Sequence, residues 1–302
     1  MPTRLVEIHP PLVNASGIFS YLDVFIRLER EGVCLGGFVT KSIGPAERSG
    51  NDNPVVFDTG YGLLNSLALP TPPLEQWLAE FEGADLEKPV IVSIFGFSAD
   101  DFADLVNRLD RYALAFELNL SCPNVQPGEQ SLMGMLAESP DQVGQVVAAV
   151  RGATDKPIIA KLSPNTDYLA TAQAACQAGA DYLACSNSLG PGLAIDPGLS
   201  CTVLPGGTGG LTGPPLKPIS LAMVYKLYDL LPLPIIAYGG VQCWQDAVDY
   251  FLAGASIVGL GTCFARKSTA EVVGLTWDIW RGVLEYLDGR SLSEIIGAGH
   301  VH

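Results

Sequence analysis

The sequence predicts an α/β chain closed into a (β/α)8 TIM barrel, with long active-site loops at the carboxyl ends of its strands. Three observations support that class. Short apolar runs alternate with amphipathic stretches along all 302 residues, the rhythm of parallel strands joined by helical crossovers. Two units repeat one theme, a helix, then Ala-Gly-Ala, then a strand: Gln177-Ala178-Gly179-Ala180-Asp181-Tyr182 and Leu252-Ala253-Gly254-Ala255-Ser256-Ile257. Glycine-rich ends close the last two strand-like runs, as at the phosphate-binding end of many barrels. An open doubly wound sheet is the weaker alternative. At roughly 150 residues per domain the length suggests two domains, but a barrel commonly runs about 250 residues as one. No linker divides the chain, so residues 1–302 are expected to form one barrel domain.

In chain order the strand-like runs are 11–15 (the weakest), 37–41, 89–95, 115–120, 157–162, 181–186, 234–238 and 256–260. Each is short and apolar throughout most of its length, as expected of a strand covered on both faces. Helical patterns lie between them. Ala99–Leu109 follows Ser98, a good N-cap, and carries Asp100 and Asp101 in its first turn. Residues 141–150 place apolar side chains at 143, 146, 147 and 150, one face of a helix. Stretches 168–178, 219–231, 245–252 and 270–287 behave alike. The Gly of each Ala-Gly-Ala turn would end its helix in the left-handed region. Two long Gly/Pro-rich loops, 61–73 and 187–217, are expected to build the carboxyl-end face, where barrel enzymes work.

Composition narrows the function. Apolar residues make up 48% and charged residues 16%, enough for one large core. With 17 basic and 32 acidic residues the net charge is −15, which argues against nucleic-acid or anionic-membrane partners. Seven cysteines, at 34, 122, 176, 185, 201, 243 and 263, include no C-x-x-C pair. That disfavours a disulfide framework, a zinc knuckle, or an iron–sulfur cluster held by this chain alone, and suits a reducing cytoplasm. Neither a secretory signal nor an apolar run of 18 residues is visible. The three histidines, His9, His300 and His302, sit near the ends. A His-based triad or multi-His metal site is therefore not expected, and acid–base chemistry falls to Cys, Lys, Tyr or a carboxylate.

The chemistry-bearing residues cluster at strand ends. Tyr238-Gly239-Gly240 and Gly259-Leu260-Gly261-Thr262 would let backbone N–H groups approach a phosphate; tight turns without a ligand are the plainer reading. The loop from Gly206 to Pro214 is a third glycine-dense element. Glu117-Leu118-Asn119-Leu120-Ser121-Cys122-Pro123-Asn124 is the most informative stretch. A thiol, with a reference pKa of about 8.5, can take a proton at mildly basic pH, and amides at 119 and 124 can pair with a planar carbonyl or imide substrate. A buried structural cysteine is the alternative. Lys41 and Lys161 end apolar runs. A cation there calls for an anionic partner, such as an electron-rich cofactor ring or a substrate carboxylate, unless the side chain snorkels to the rim. Asn65 and Asn187-Ser188 complete a set of strand-end amides and hydroxyls.

This pattern resembles the class 1 dihydroorotate dehydrogenases over nearly the whole chain. The most specific element is Asn119-Leu120-Ser121-Cys122-Pro123-Asn124, which matches that family's active-site loop without change. Thr40-Lys41-Ser42, Asn65-Ser66, Lys161-Leu162-Ser163-Pro164, Ser186-Asn187-Ser188, Gly209-Gly210-Leu211-Thr212-Gly213, Tyr238-Gly239-Gly240 and Leu260-Gly261-Thr262 support it. The resemblance implies an FMN-binding barrel that oxidises (S)-dihydroorotate to orotate in pyrimidine biosynthesis. Cys122 would take the C5 proton while hydride passes from C6 to flavin N5. Lys41, Asn65, Ser66, Leu67, Ala68, Leu69, Asn119, Asn124, Asn187 and Ser188 would hold the substrate. Ala15, Ser16, Lys41, Ser42, Asn119, Lys161, Ser186, Gly213, Gly239, Gly240, Gly261 and Thr262 would line FMN, with Lys161 near its pyrimidine end. The membrane-bound class 2 enzymes, with a Ser base and an N-terminal extension, resemble it less.

Two features depart from the family pattern. Ala68 stands where the family usually has a glycine whose backbone approaches the substrate carboxylate. This motivates an alternative, an FMN enzyme for another dihydropyrimidine-like cyclic amide. A non-enzymatic assembly subunit is a third reading. The subclass signature is also mixed. Residues 187–197 resemble the single-subunit, fumarate-reducing type, whereas 161–165 and 209–214 resemble the type that pairs with an iron–sulfur flavoprotein and reduces NAD. No G-x-G-x-x-G occurs, so direct NAD use by this chain is not expected. Family analogy suggests a homodimer.

Overall fold

The structure is a computed structural model that describes residues 5, 8–120 and 139–300. Eight parallel strands form its centre: β1 (Leu12–Asn14), β2 (Phe38–Val39), β5 (Val90–Ile94), β6 (Ala115–Asn119), β7 (Ile158–Lys161), β8 (Tyr182–Cys185), β13 (Ile235–Tyr238) and β14 (Ala255–Leu260). They are hydrogen-bonded in the order β1-β14-β13-β8-β7-β6-β5-β2, each sequence run lying beside its successor in the barrel. The seam between β1 and β2 closes through a bridge, Val13 to Gly37. The Asn14 side chain completes it, donating from Nδ2 to the Val39 carbonyl at 2.7 Å and accepting the Val39 N–H at 2.9 Å. A side-chain amide thus replaces ladder bonds that two- and three-residue strands cannot supply.

The period of two sorts each strand's residues. Val13, Ile91, Ala115, Ile159, Ala184 and Ile236 fill the barrel. Their neighbours Leu12, Phe116, Ile158, Leu183 and Ile235 face the helices in the main core. The helix Ala99–Leu109 has the bounds expected from sequence. Ser98 Oγ accepts the Asp101 N–H, and Asp101 Oδ2 accepts that of Ser98, a capping box that contributes about 1 kcal/mol. The other expected helices run Pro140–Ala153, Tyr168–Gln177, Lys217–Leu230, Trp244–Leu252 and Thr269–Leu287.

The two long loops are corrected by the structure. They carry β4 (Leu63–Asn65), β9 (Leu189–Leu193) and β12 (Thr208–Thr212), which join β3 (Val56–Asp58), just ahead of the first loop, in an antiparallel sheet ordered β3-β4-β12-β9, and a small ribbon of β10 (Ile195–Asp196) with β11 (Cys201–Thr202). Gly210 pairs with Asn65 across 145 residues, a register that local pattern does not encode. Two further helices lie outside the stretches expected to be helical, Leu22–Arg30 and Leu74–Gly83. Their buried residues Leu22, Phe25 and Leu28, and Leu74, Trp77 and Phe81, do follow helical spacing.

Candidate active site

The alternation that fills the barrel continues to its carboxyl end and turns polar there. One step past Val39, Ile91, Ala115, Ile159, Ala184 and Ile236 on the same faces stand Lys41, Ser93, Glu117, Lys161, Ser186 and Tyr238. Asn119 lies one step beyond Glu117 and is paired in register with Lys161. Side chains that are 77 or 68 residues apart therefore meet. Asn119 Nδ2 donates to Ser42 Oγ at 3.2 Å, Ser42 shares a hydroxyl contact with Ser93 at 3.0 Å, and Ser16 reaches Ser42 at 3.4 Å. On its other side Asn119 Oδ1 accepts from Asn187 Nδ2 at 3.1 Å, and Asn187 Oδ1 accepts the Ser188 N–H at 2.9 Å. Asn165, unassigned by the sequence reading, ties down this corner by donating to the Ser188 carbonyl at 3.0 Å. The hydroxyls of Ser66 and Ser186 are buried with no hydrogen-bond partner among the described residues. Orphaned buried hydroxyls are costly unless a ligand completes them.

The two lysines fare differently. Lys161 has its anion inside the protein: Nζ lies 3.1 Å from Glu117 Oε1, with side-chain exposures of 8% and 0%. Glu117 Oε2 accepts the Tyr238 hydroxyl at 2.8 Å, and Nζ stands 4.7 Å from the centroid of the Tyr238 ring. The family resemblance places Lys161 beside a cofactor ring; Glu117 is not among the residues expected at the site, although Ala115, Glu117 and Asn119 share one strand face. Lys41 makes no hydrogen bond or ion pair among the described residues. Burial holds it below the ordinary lysine value, because desolvation penalises the ammonium. It lines a cleft of about 270 Å³ with Tyr21, Arg48, Pro70 and Thr71.

The segment from Asn65 to Thr71 is held from behind. The Ser66 carbonyl accepts from Asn51 Nδ2 at 2.8 Å, that of Leu67 from the Asn51 N–H at 3.2 Å, and that of Ala68 from Arg48 Nε at 3.4 Å. In a trans peptide the next N–H points opposite to the carbonyl. The N–H groups of Leu67, Ala68 and Leu69 therefore face away from Arg48 and Asn51, and none donates to a described residue. Ala68 and Leu69 have φ of 60° and 57°, the left-handed region that forms anion-binding concavities. Ala68 takes the conformation a glycine would hold without strain, with its methyl buried. The Leu69 side chain packs on Phe95, leaving its backbone as the polar group on offer.

At the opposite rim the glycines bring three strand ends together. At Gly240, φ 67°, a Cβ would stand 2.7 Å from the Gly213 carbonyl. At Gly213, φ 89°, a Cβ would meet Thr262 Oγ1 at 3.4 Å, and at Gly261 the Ala15 methyl at 3.3 Å. The N–H groups of Gly240 and Thr262 donate to no backbone carbonyl among the described residues, while that of Gly261 turns to the Cys263 thiol. This cradle, with Gly239 at its base, fits a phosphate-bearing cofactor, and the orphaned Ser186 hydroxyl adds a polar group without a partner at another strand end of the barrel mouth. Cys122 and Asn124 lie outside the described residues. Among the described residues no group of His, Cys, Asp and Glu could hold a metal ion, and no helix is long and apolar enough to cross a membrane.

Comparison with known proteins agrees with this geometry. The dihydroorotate dehydrogenase family pattern matches residues 5–278. A dihydroorotate dehydrogenase B (NAD(+)) catalytic subunit from Pyrococcus furiosus is 42% identical over 293 residues, covering 95% of this chain and 94% of that protein. Proteins of the same description from Thermococcus kodakarensis, 40% identical over 97% and 95% of the two chains, and Methanothermobacter thermautotrophicus, 34% identical over 98% and 96%, extend the likeness. A crystal structure of a dihydroorotate dehydrogenase from Eimeria tenella in complex with ferulenol superposes with a TM-score of 0.78 at 22% identity, over 97% of this chain and 86% of that one, which supports the barrel fold. The chain belongs to the dihydroorotate dehydrogenase family, in its class 1.

Proposed function

We propose that this chain is an FMN-dependent dihydroorotate dehydrogenase that oxidises (S)-dihydroorotate to orotate in pyrimidine biosynthesis. The observation that carries the reading is the ring of unspent donors at the barrel mouth: the N–H groups of Leu67, Ala68 and Leu69, those of Gly240 and Thr262, and the orphaned hydroxyls of Ser66 and Ser186. Asn119, Asn187 and Ser188, already oriented by their mutual hydrogen bonds, would hold the pyrimidine imide. Asn65 would support that ring from β4. The nest at 67–69, with Lys41, would hold the carboxylate. Ala15, Ser16, Ser42 and Gly239 would line the cofactor, and Lys161 would face it from β7. FMN, when bound, supplies the acceptor for the hydride from C6. By family resemblance Cys122 takes the C5 proton and Asn124 helps hold the ring.

Purified protein should be yellow, and excess dihydroorotate should bleach it without oxygen. A flavin-loaded preparation that stays coloured would rule out this substrate. Cys122→Ala should keep FMN and lose flavin reduction, and wild-type reduction in that variant would remove the assigned base. Turnover should climb from pH 6 towards about 8.5 if a thiolate accepts the proton.

The relatives' description as catalytic subunits supports a partner that carries electrons onward to NAD, of the iron–sulfur flavoprotein type, since this chain has no dinucleotide fingerprint. We also read the chain as one barrel domain, forming a homodimer in the cytoplasm, where its thiols stay reduced. A second reading, another dihydropyrimidine-like cyclic amide as substrate, rests on the buried Ala68 methyl. A panel of such amides followed by flavin bleaching separates the two.

A further inference from the structure

Inside the barrel, below the mouth, three side chains from three strands form a closed unit that the reaction does not require as written. Glu117 on β6 is fully buried, and both of its oxygens are engaged, one by Lys161 of β7 and one by the Tyr238 hydroxyl of β13. The Tyr238 ring reaches across because Gly259, its register partner on β14, leaves the space. A Cβ there would lie 2.1 Å from two ring carbons. Burial first, then the neighbouring Glu117 charge, pushes the Tyr238 hydroxyl well above its ordinary value. It is a neutral donor, and the unit carries no net charge.

We propose that Glu117 and Tyr238 are positioning residues that temper the Lys161 cation, so that the flavin facing it is not trapped in its reduced, negatively charged form. The proposal rests on the FMN reading above. An unpaired ammonium in a low-dielectric site would favour the reduced ring strongly. A reduced flavin must hand its two electrons onward, so a charge-neutral pair at that position suits turnover better than a bare cation. The Tyr238 hydroxyl adjusts the balance by drawing charge from the carboxylate, while its ring holds the ammonium from the side.

The test is the ratio of dissociation constants for oxidised and dithionite-reduced FMN, measured on reconstituted full-length protein. Glu117→Gln should raise that ratio at least about tenfold, equivalent to about 30 mV for a two-electron couple, and Tyr238→Phe should lower it two- to threefold. Neither change should exceed twofold in a Lys161→Met background. A ratio within twofold of wild type in Glu117→Gln, a fall in it, or an equal rise without Lys161 would overturn the proposal. If Glu117→Gln does not fold, Tyr238→Phe with and without Lys161→Met decides the matter by the same criterion. A wild-type chain that takes up no FMN would instead overturn the function proposed above. Wild-type protein bleached by dihydroorotate, with variants that leave the ratio unmoved, would overturn the tempering role alone.

Discussion

The tips of β2 and β7 look alike in sequence and differ in the folded chain. Each is an apolar run that ends in lysine. At β7 the cation is neutralised from within the barrel by Glu117. At β2 Lys41 faces a cleft and has no charged partner among the described residues. The first lysine is part of a closed electrostatic unit; the charge of the second is left without a counter-charge among the described residues. Strand-end position alone therefore does not assign a lysine to a ligand, because a barrel lets any other strand supply the counter-charge.

The largest expected effect sets the two tips apart by stability. Glu117→Ala leaves Lys161 buried and unpaired, and should cost about 3–5 kcal/mol in urea unfolding. Lys41→Met should be neutral or stabilising in the ligand-free protein. Equal losses at both sites would erase the distinction.

A smaller effect sharpens the comparison through pH. The folded-state value of Lys41 is lowered by burial, so folding penalises its charged form. The penalty is present below the folded value and fades as pH rises through it towards the unfolded value. Ligand-free wild type should thus gain stability over Lys41→Met across that window. A bound carboxylate reverses the preference. Orotate affinity should fall about tenfold per pH unit above the Lys41 value, the slope of one proton taken up on binding, and Lys41→Met should flatten the curve. A flat wild-type titration would mean that another group meets the carboxylate.

The smallest effect concerns the nest beside Lys41. Ala68→Gly relieves a left-handed alanine but loosens the unfolded chain, so it should stabilise by no more than about 1 kcal/mol. It should also tighten orotate binding if the Ala68 methyl crowds the site. Clear destabilisation would mean that the methyl contributes more by packing than the conformation costs.

Much of the barrel is legible in the sequence. All eight central strands and the helix Ala99–Leu109 announce themselves through local periodicity and capping. So does the convergence of Lys41, Asn119, Lys161, Ser186 and Asn187, because strand ends in a parallel barrel share one face. The helix Leu22–Arg30 also carries a local signal in Leu22, Phe25 and Leu28, three buried residues at helical spacing. The antiparallel sheet was not legible, since Leu63–Asn65 and Thr208–Thr212 are short, glycine-bearing and paired only with distant chain.

Sequence by itself determined the alternation of buried and facing residues along each strand, and with it the set of groups available at the barrel mouth, because side-chain direction in a strand repeats every two residues. Tertiary structure alone decided how those groups are spent. Glu117 quenches Lys161 rather than Lys41, the carbonyls of 66–68 turn to Arg48 and Asn51, and Gly240 meets Gly213, since partners separated by tens of residues are chosen by the closure of the barrel and not by any local rule.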